Sequence, residues 1–124
     1  MIEIKDIDLS LPFLTQLQGN DDGRPITIIN TFVAPEGQVD AVIEVWQQDS
    51  FVMKDRPGFI SAQLHRGIGD SRVLTNVAVW ESLTDLRNAF ISAEFQELLP
   101  HYPDGSLSFP ILVRKEAVTG VCTA

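Results

Sequence analysis

Leu74-Thr75-Asn76-Val77-Ala78-Val79-Trp80 decides the fold of this 124-residue chain. β-branched and apolar residues dominate the stretch, so it predicts a strand. Alternation places Leu74, Asn76, Ala78 and Trp80 on one face and Val73, Thr75, Val77 and Val79 on the other. Both faces are largely apolar and both need cover. The first face also carries an amide and an indole N–H, groups that need hydrogen-bond partners when buried. The pattern points to something polar entering on that side.

Upstream, Phe59 to Arg66 reads as a second strand, joined to the first by the turn Gly67-Ile68-Gly69-Asp70-Ser71. An antiparallel hairpin follows. Pairing Arg66 with Arg72 would set Leu64 opposite Leu74 and Ala62 opposite Asn76, with His65 turned away from Asn76. Before the hairpin, Ala34-Pro35-Glu36-Gly37 turns the chain into a helix running to about Lys54. Val39, Val42, Ile43, Trp46 and Met53 form its apolar stripe, while Glu44, Gln47, Gln48 and Asp49 fill the remainder. Arg56-Pro57-Gly58 ends it. Earlier still, Pro25 to Val33 alternates as a strand, with Ile26, Ile28, Asn30 and Phe32 on one face.

Downstream of Trp80, Ser82 with Asp85 three positions on is an approximate capping box. Leu83, Leu86, Phe90 and Ala93 continue as a helical stripe, and Ser92 opens a second short turn carrying Phe95, Leu98 and Leu99. Leu107 to Lys115 is the last strand, with Pro110 marking an edge position or a bulge.

The order strand, helix, strand, strand, helix, strand predicts an α+β, ferredoxin-like βαββαβ fold. One antiparallel sheet carries both helices on one face. The face bearing Val73, Thr75, Val77 and Val79 is then left for a partner sheet, and a homodimer closing a barrel-like core is expected. Residues 1–25 read as an N-terminal extension, separated by Gly19-Asn20-Asp21-Asp22-Gly23, and residues 26–124 as the domain. The extension has enough apolar side chains to dock, either as a packed tail or as an arm over a partner.

Seventeen acidic against nine basic residues give a formal charge of −8. A strongly acidic domain without a basic stripe argues against nucleic acid and anionic membranes. No apolar run reaches the roughly 18–20 residues of a membrane span. Met1 to Asp8 lacks signal-peptide character, and a single cysteine, Cys122, fits a reducing compartment, so the cytoplasm is expected. His65 and His101 are far apart and no metal-ligating spacing is present. No glycine-rich phosphate cradle exists, so the expected chemistry runs without a cofactor.

Asn30 and Asn76 are lone amides in apolar rows. Each fits either an asparagine serving buried water or loop backbone, or an amide facing a guest. Trp46, Leu86 and Phe90 either fill the core or line a pocket. His65, at a hairpin end, is either solvated or a substrate contact.

Ile28-Ile29-Asn30-Thr31-Phe32, Arg56-Pro57-Gly58-Phe59, Leu64-His65-Arg66 and Asn76-Val77-Ala78-Val79-Trp80-Glu81-Ser82 together resemble the antibiotic biosynthesis monooxygenase family of dimeric α+β barrels. The resemblance spans roughly residues 26–115 and leaves the first 25 outside. It is similar in particular to the cofactor-free anthrone oxygenases of aromatic polyketide pathways. This implies a catalytic trio of Asn30, Asn76 and Trp80, a phenolic, anthrone- or quinol-like substrate, O₂, and no cofactor. Some relatives place a tyrosine six residues after the tryptophan; here Leu86 stands there, so any proton transfer by that phenol is absent or rerouted. Some use a second-strand histidine, which His65 matches. The family also holds haem-degrading enzymes, which need a helix-borne histidine. Residues 82–99 contain none, and His101 follows Pro100. A non-catalytic dimer binding a small aromatic is the remaining alternative.

Overall fold

A computed structural model describes all residues, 1–124. The order is β1 (Glu3–Ile4), α1 (Phe13–Leu17), β2 (Ile26–Val33), α2 (Val39–Lys54), β3 (Phe59–Arg66), β4 (Val73–Trp80), α3 (Leu83–Phe90), α4 (Ala93–Gln96), a 3₁₀ turn (Leu99–His101) and β5 (Leu107–Val113). One five-stranded sheet has the order β1-β5-β2-β4-β3. Removing the two-residue β1 leaves β5-β2-β4-β3, antiparallel throughout, which is the ferredoxin-like arrangement. The sheet does not close within one chain.

Leu74–Trp80 lies within β4, an inner strand of the sheet. β4 pairs with β2 along its whole length, and Asn76 stands directly opposite Asn30. On the other side β4 pairs with β3, but two residues out of the expected register. Arg66 faces Leu74, Leu64 faces Asn76, and Ala62 faces Ala78. The loop closes on a bond from Gly67 N–H to Val73 C=O (2.9 Å), so the five enclosed residues are 68–72 rather than the expected 67–71. A shift of two preserves the facing, so His65 still points away from Asn76.

Residues 1–25 dock on their own chain. β1 runs parallel to β5, with Glu3 N–H donating to Ser106 C=O (2.9 Å) and Lys5 N–H to Ser108 C=O (2.7 Å). Phe13 and Leu17 on α1 are buried. Arg87 of α3 clamps the end of α1 by donating to the carbonyls of Leu17 (2.8 Å) and Gly19 (2.7 Å). Neither β1 nor α1 is expected from the sequence, because two and five residues are too short to show a period.

Pro110 lies where β5 has run past β1 and become the sheet's edge. Leu112 N–H points outward to Gln16 Oε1 (3.2 Å), and Pro110, two residues away, has its nitrogen on that same outer side. The proline therefore removes no ladder bond to β2.

The core has two parts. One contains Ile2, Phe32, Val42, Val45, Leu74 and Tyr102. The other contains Phe13, Leu17, Ile26, Trp80, Leu83 and Leu86. Ser82 caps α3, its Oγ accepting from Asp85 N–H (3.1 Å), as the capping box predicts.

Candidate functional site

Between the two parts of the core lies a cavity of about 100 Å³. A hollow of roughly 10–15 Å³ already admits a water, so this one is large enough for a planar organic ring. Its walls are mostly apolar. Ile28 and Phe32 come from β2, Ala78 and Trp80 from β4, Trp46 and Met53 from α2.

Asn30, Asn76 and Trp80 all turn into this hollow. Alternation on β2 and β4 puts them on the helix side of the sheet, and the antiparallel register makes the two amides neighbours. Asn30 Oδ1 accepts from Ser108 Oγ (2.8 Å) on β5, which fixes that amide's orientation. Asn76 Oδ1 is buried and has no hydrogen-bond partner. An unsatisfied buried acceptor is disfavoured by about 1–3 kcal/mol, and a guest carrying an O–H would relieve it. Turned over, the same amide offers its N–H₂ to an oxyanion. Trp80 is 2% exposed and meets Phe59 edge to face (5.4 Å, 87°), so its indole plane is held.

Trp46, Leu86 and Phe90 also line the hollow. His65 does not. It is exposed on the opposite sheet face, where Nδ1 lies 3.3 Å from Thr75 C=O. Its odd position on β3 and the even register shift together put it there.

The sequence reading assigned Asp49 to the polar side of its helix, and the structure corrects this. Asp49 is 6% exposed and lines the hollow with Ser50. The buried residues of α2 are Val42, Val45 and Asp49, so the carboxylate sits on the apolar stripe, seven residues past Val42. That spacing was the signal available in the sequence. Tyr102 Oη donates to Asp49 Oδ2. Burial pushes the Asp49 carboxyl up to about 7, against the lowering effect of the hydrogen bonds from Tyr102 and Ser50. Tyr102 is raised as well, first by burial and then by the adjacent carboxylate. Its ring stacks on Phe32 (6.2 Å, 15°). No group of three histidine, cysteine or carboxylate side chains converges to hold a metal.

Residues 25–100 match the family described as antibiotic biosynthesis monooxygenase. A protein of Shewanella loihica PV-4, solved as a candidate monooxygenase, is 31% identical, with 81% of this chain and 100% of that chain covered and a TM-score of 0.65. SnoaB, a cofactor-independent oxygenase from Streptomyces nogalater, is 21% identical over 78% of this chain and 98% of its own, with a TM-score of 0.70. A candidate antibiotic biosynthesis monooxygenase from Bordetella bronchiseptica is also 21% identical, over 77% and 98%, with a TM-score of 0.62. Among curated proteins none matches.

Proposed function

The chain belongs to the antibiotic biosynthesis monooxygenase family, and from that premise we propose that it is a cofactor-independent monooxygenase acting on a phenolic, anthrone- or quinol-like aromatic with O₂. One observation carries the reading. Two amides and an indole from adjacent strands converge on one apolar hollow of ring-sized volume. SnoaB, a structural neighbour that works without a cofactor, supports it.

The chemistry is within reach of such a site. The conjugate base of an anthrone is electron-rich and gives one electron to O₂. The two radicals combine at the ring carbon, and the resulting hydroperoxide loses water to leave a carbonyl. The substrate supplies the electrons. The protein holds the ring against Trp80, excludes bulk water, and offers Asn30 and Asn76 to the developing oxyanion. Amides suit this task because they donate hydrogen bonds without titrating.

The reading includes a homodimer in which the outer sheet faces of two copies meet. Ile29, Thr31, Thr75, Val77 and Val79 on that face are only half-buried in a single chain. No helix is long and apolar enough to cross a membrane. A cytoplasmic setting suits the single exposed, unpaired Cys122. Haem degradation is less well supported, since His65 and His101 are both exposed and neither lines the hollow.

Oxygen uptake with dithranol in metal-free buffer tests the proposal and separates it from mere aromatic binding. Asn76→Ala and Trp80→Phe are each expected to lower the rate, the first by about 100-fold or more, as for one lost oxyanion donor. Unchanged uptake in both variants would remove the proposed site.

A further inference from the structure

Oxygen chemistry on a phenol or anthrone begins with loss of a proton, and neither amide nor indole accepts one at neutral pH. Among all the residues lining the hollow, only Asp49 and Tyr102 titrate. They come from separate elements, α2 and the segment after the 3₁₀ turn, and meet at the cavity wall.

Resting on the oxygenase reading above, we propose that Asp49 is the proton acceptor of this site and that Tyr102 is the residue that positions and tunes it. The two carboxylate oxygens are not equivalent. Oδ2 is occupied by the Tyr102 hydroxyl, whereas Oδ1 has only a long contact from Ser50 Oγ (3.4 Å). Oδ1 is thus the oxygen left for a guest. Groups lining the hollow from other elements are uncharged. Ile4 comes from β1 and Ile2 from just before it, Asn30 and Phe32 from β2, Asn76 from β4, and no cation lines the hollow.

This absence of charge favours the transfer. Moving a proton from a bound acid to Asp49 leaves the cavity's net charge at −1. The charge passes from a compact carboxylate to an extended aromatic anion, which a mostly apolar cavity tolerates better. For an anthrone, the methylene C–H breaks, its electron pair stays on the ring, and the proton binds Oδ1. After O₂ adds, Asp49 returns that proton to the peroxide oxygen. It then takes the remaining C–H proton as the O–O bond breaks. The departing hydroxide receives that proton and leaves as water. The carboxylate is regenerated, and the substrate's electrons alone reduce O₂. A base that ionises near 7 is matched to this duty.

Proton removal can be observed without oxidation. Under anaerobic conditions in D₂O, exchange of the dithranol methylene hydrogens is followed by NMR beside oxygen uptake in air. Wild-type protein is expected to accelerate exchange, with a rate that rises with pH through about 7. Asp49→Asn should lower both exchange and uptake by about 100-fold or more. Tyr102→Phe keeps the carboxylate but removes a bond that lowers its pKa, so the rising limb should move to higher pH. A purely structural pair would leave the pH profile of Tyr102→Phe in place. Asp49→Asn exchanging as fast as wild type overturns the proposal. So does wild-type protein that consumes oxygen without accelerating exchange, in which case the oxygenase reading survives. Neither exchange nor uptake in wild type sinks both.

Discussion

Asp49 ionises near 3.8 when unfolded and near 7 when folded, because burial disfavours its charge. Between those values the folded chain holds one more proton than the unfolded chain. Its contribution to stability is therefore complete below pH 4 and is lost as pH rises through 7, by roughly 4 kcal/mol at most. Asp49→Asn removes the penalty. Thermal melts should show the variant more stable than wild type by about 1–3 kcal/mol at pH 8 and no more stable at pH 4. Wild-type and variant melts that move together across that range would contradict the assignment. The residues of the site were unevenly legible. Asn30, Asn76 and Trp80 follow from strand parity, which depends only on counting by two. Asp49 escapes a reading that sends charged residues to the solvent side, although Val42 and Val45 place it with the core. Tyr102 belongs to a loop, where no period says which way a side chain turns.

At the scale of elements, the turn from α2 into β3 explains its own sequence. Gly58 has φ +87°, and its carbonyl accepts from Glu81 N–H (2.8 Å). A Cβ there would lie 2.3 Å from Asp85 Oδ2, the acceptor of the Ser82 hydroxyl at the start of α3. Gly58→Ala therefore strains the backbone and displaces the helix cap at once. Urea unfolding should show a loss of about 2–4 kcal/mol, beyond the 0.5–2 expected for the cap alone. A loss below 0.5 kcal/mol would mean that Asp85 moves aside freely. The need for a turn was readable in Arg56-Pro57-Gly58, but the neighbour that enforces glycine is 27 residues away along the sequence. The hairpin teaches the same lesson. Its facing was legible while its register was not, since the Gly67–Val73 closure depends on loop geometry rather than on the pattern of the strands.

For the whole molecule, the central question is what covers the outer face of the sheet. Thr31 and Thr75 hydrogen-bond across it (3.1 Å), flanked along the strands by the pairs Ile29–Val77 and Val33–Val73. With a second copy on this face, light scattering should give twice the 13.8 kDa of one chain. Val77→Lys places a charge beside Ile29, its cross-strand partner, and should halve that mass. A variant that keeps the wild-type mass would place the dimer interface elsewhere. The apolar row was plain in the sequence; its partner lies outside a single chain. The role of residues 1–25 was less plain. Ile2, Ile4 and Phe13 help wall the hollow, although they precede the matched region of residues 25–100.

A core divided by a chamber also responds to compression. Unfolding removes the chamber, and the volume lost when a protein unfolds, usually about 20–100 mL/mol, grows with the internal space that its fold holds open. Hydrostatic pressure thus acts on this fold as a mild denaturant. An aromatic guest seated between the two halves supplies the missing atoms and acts as ballast against it.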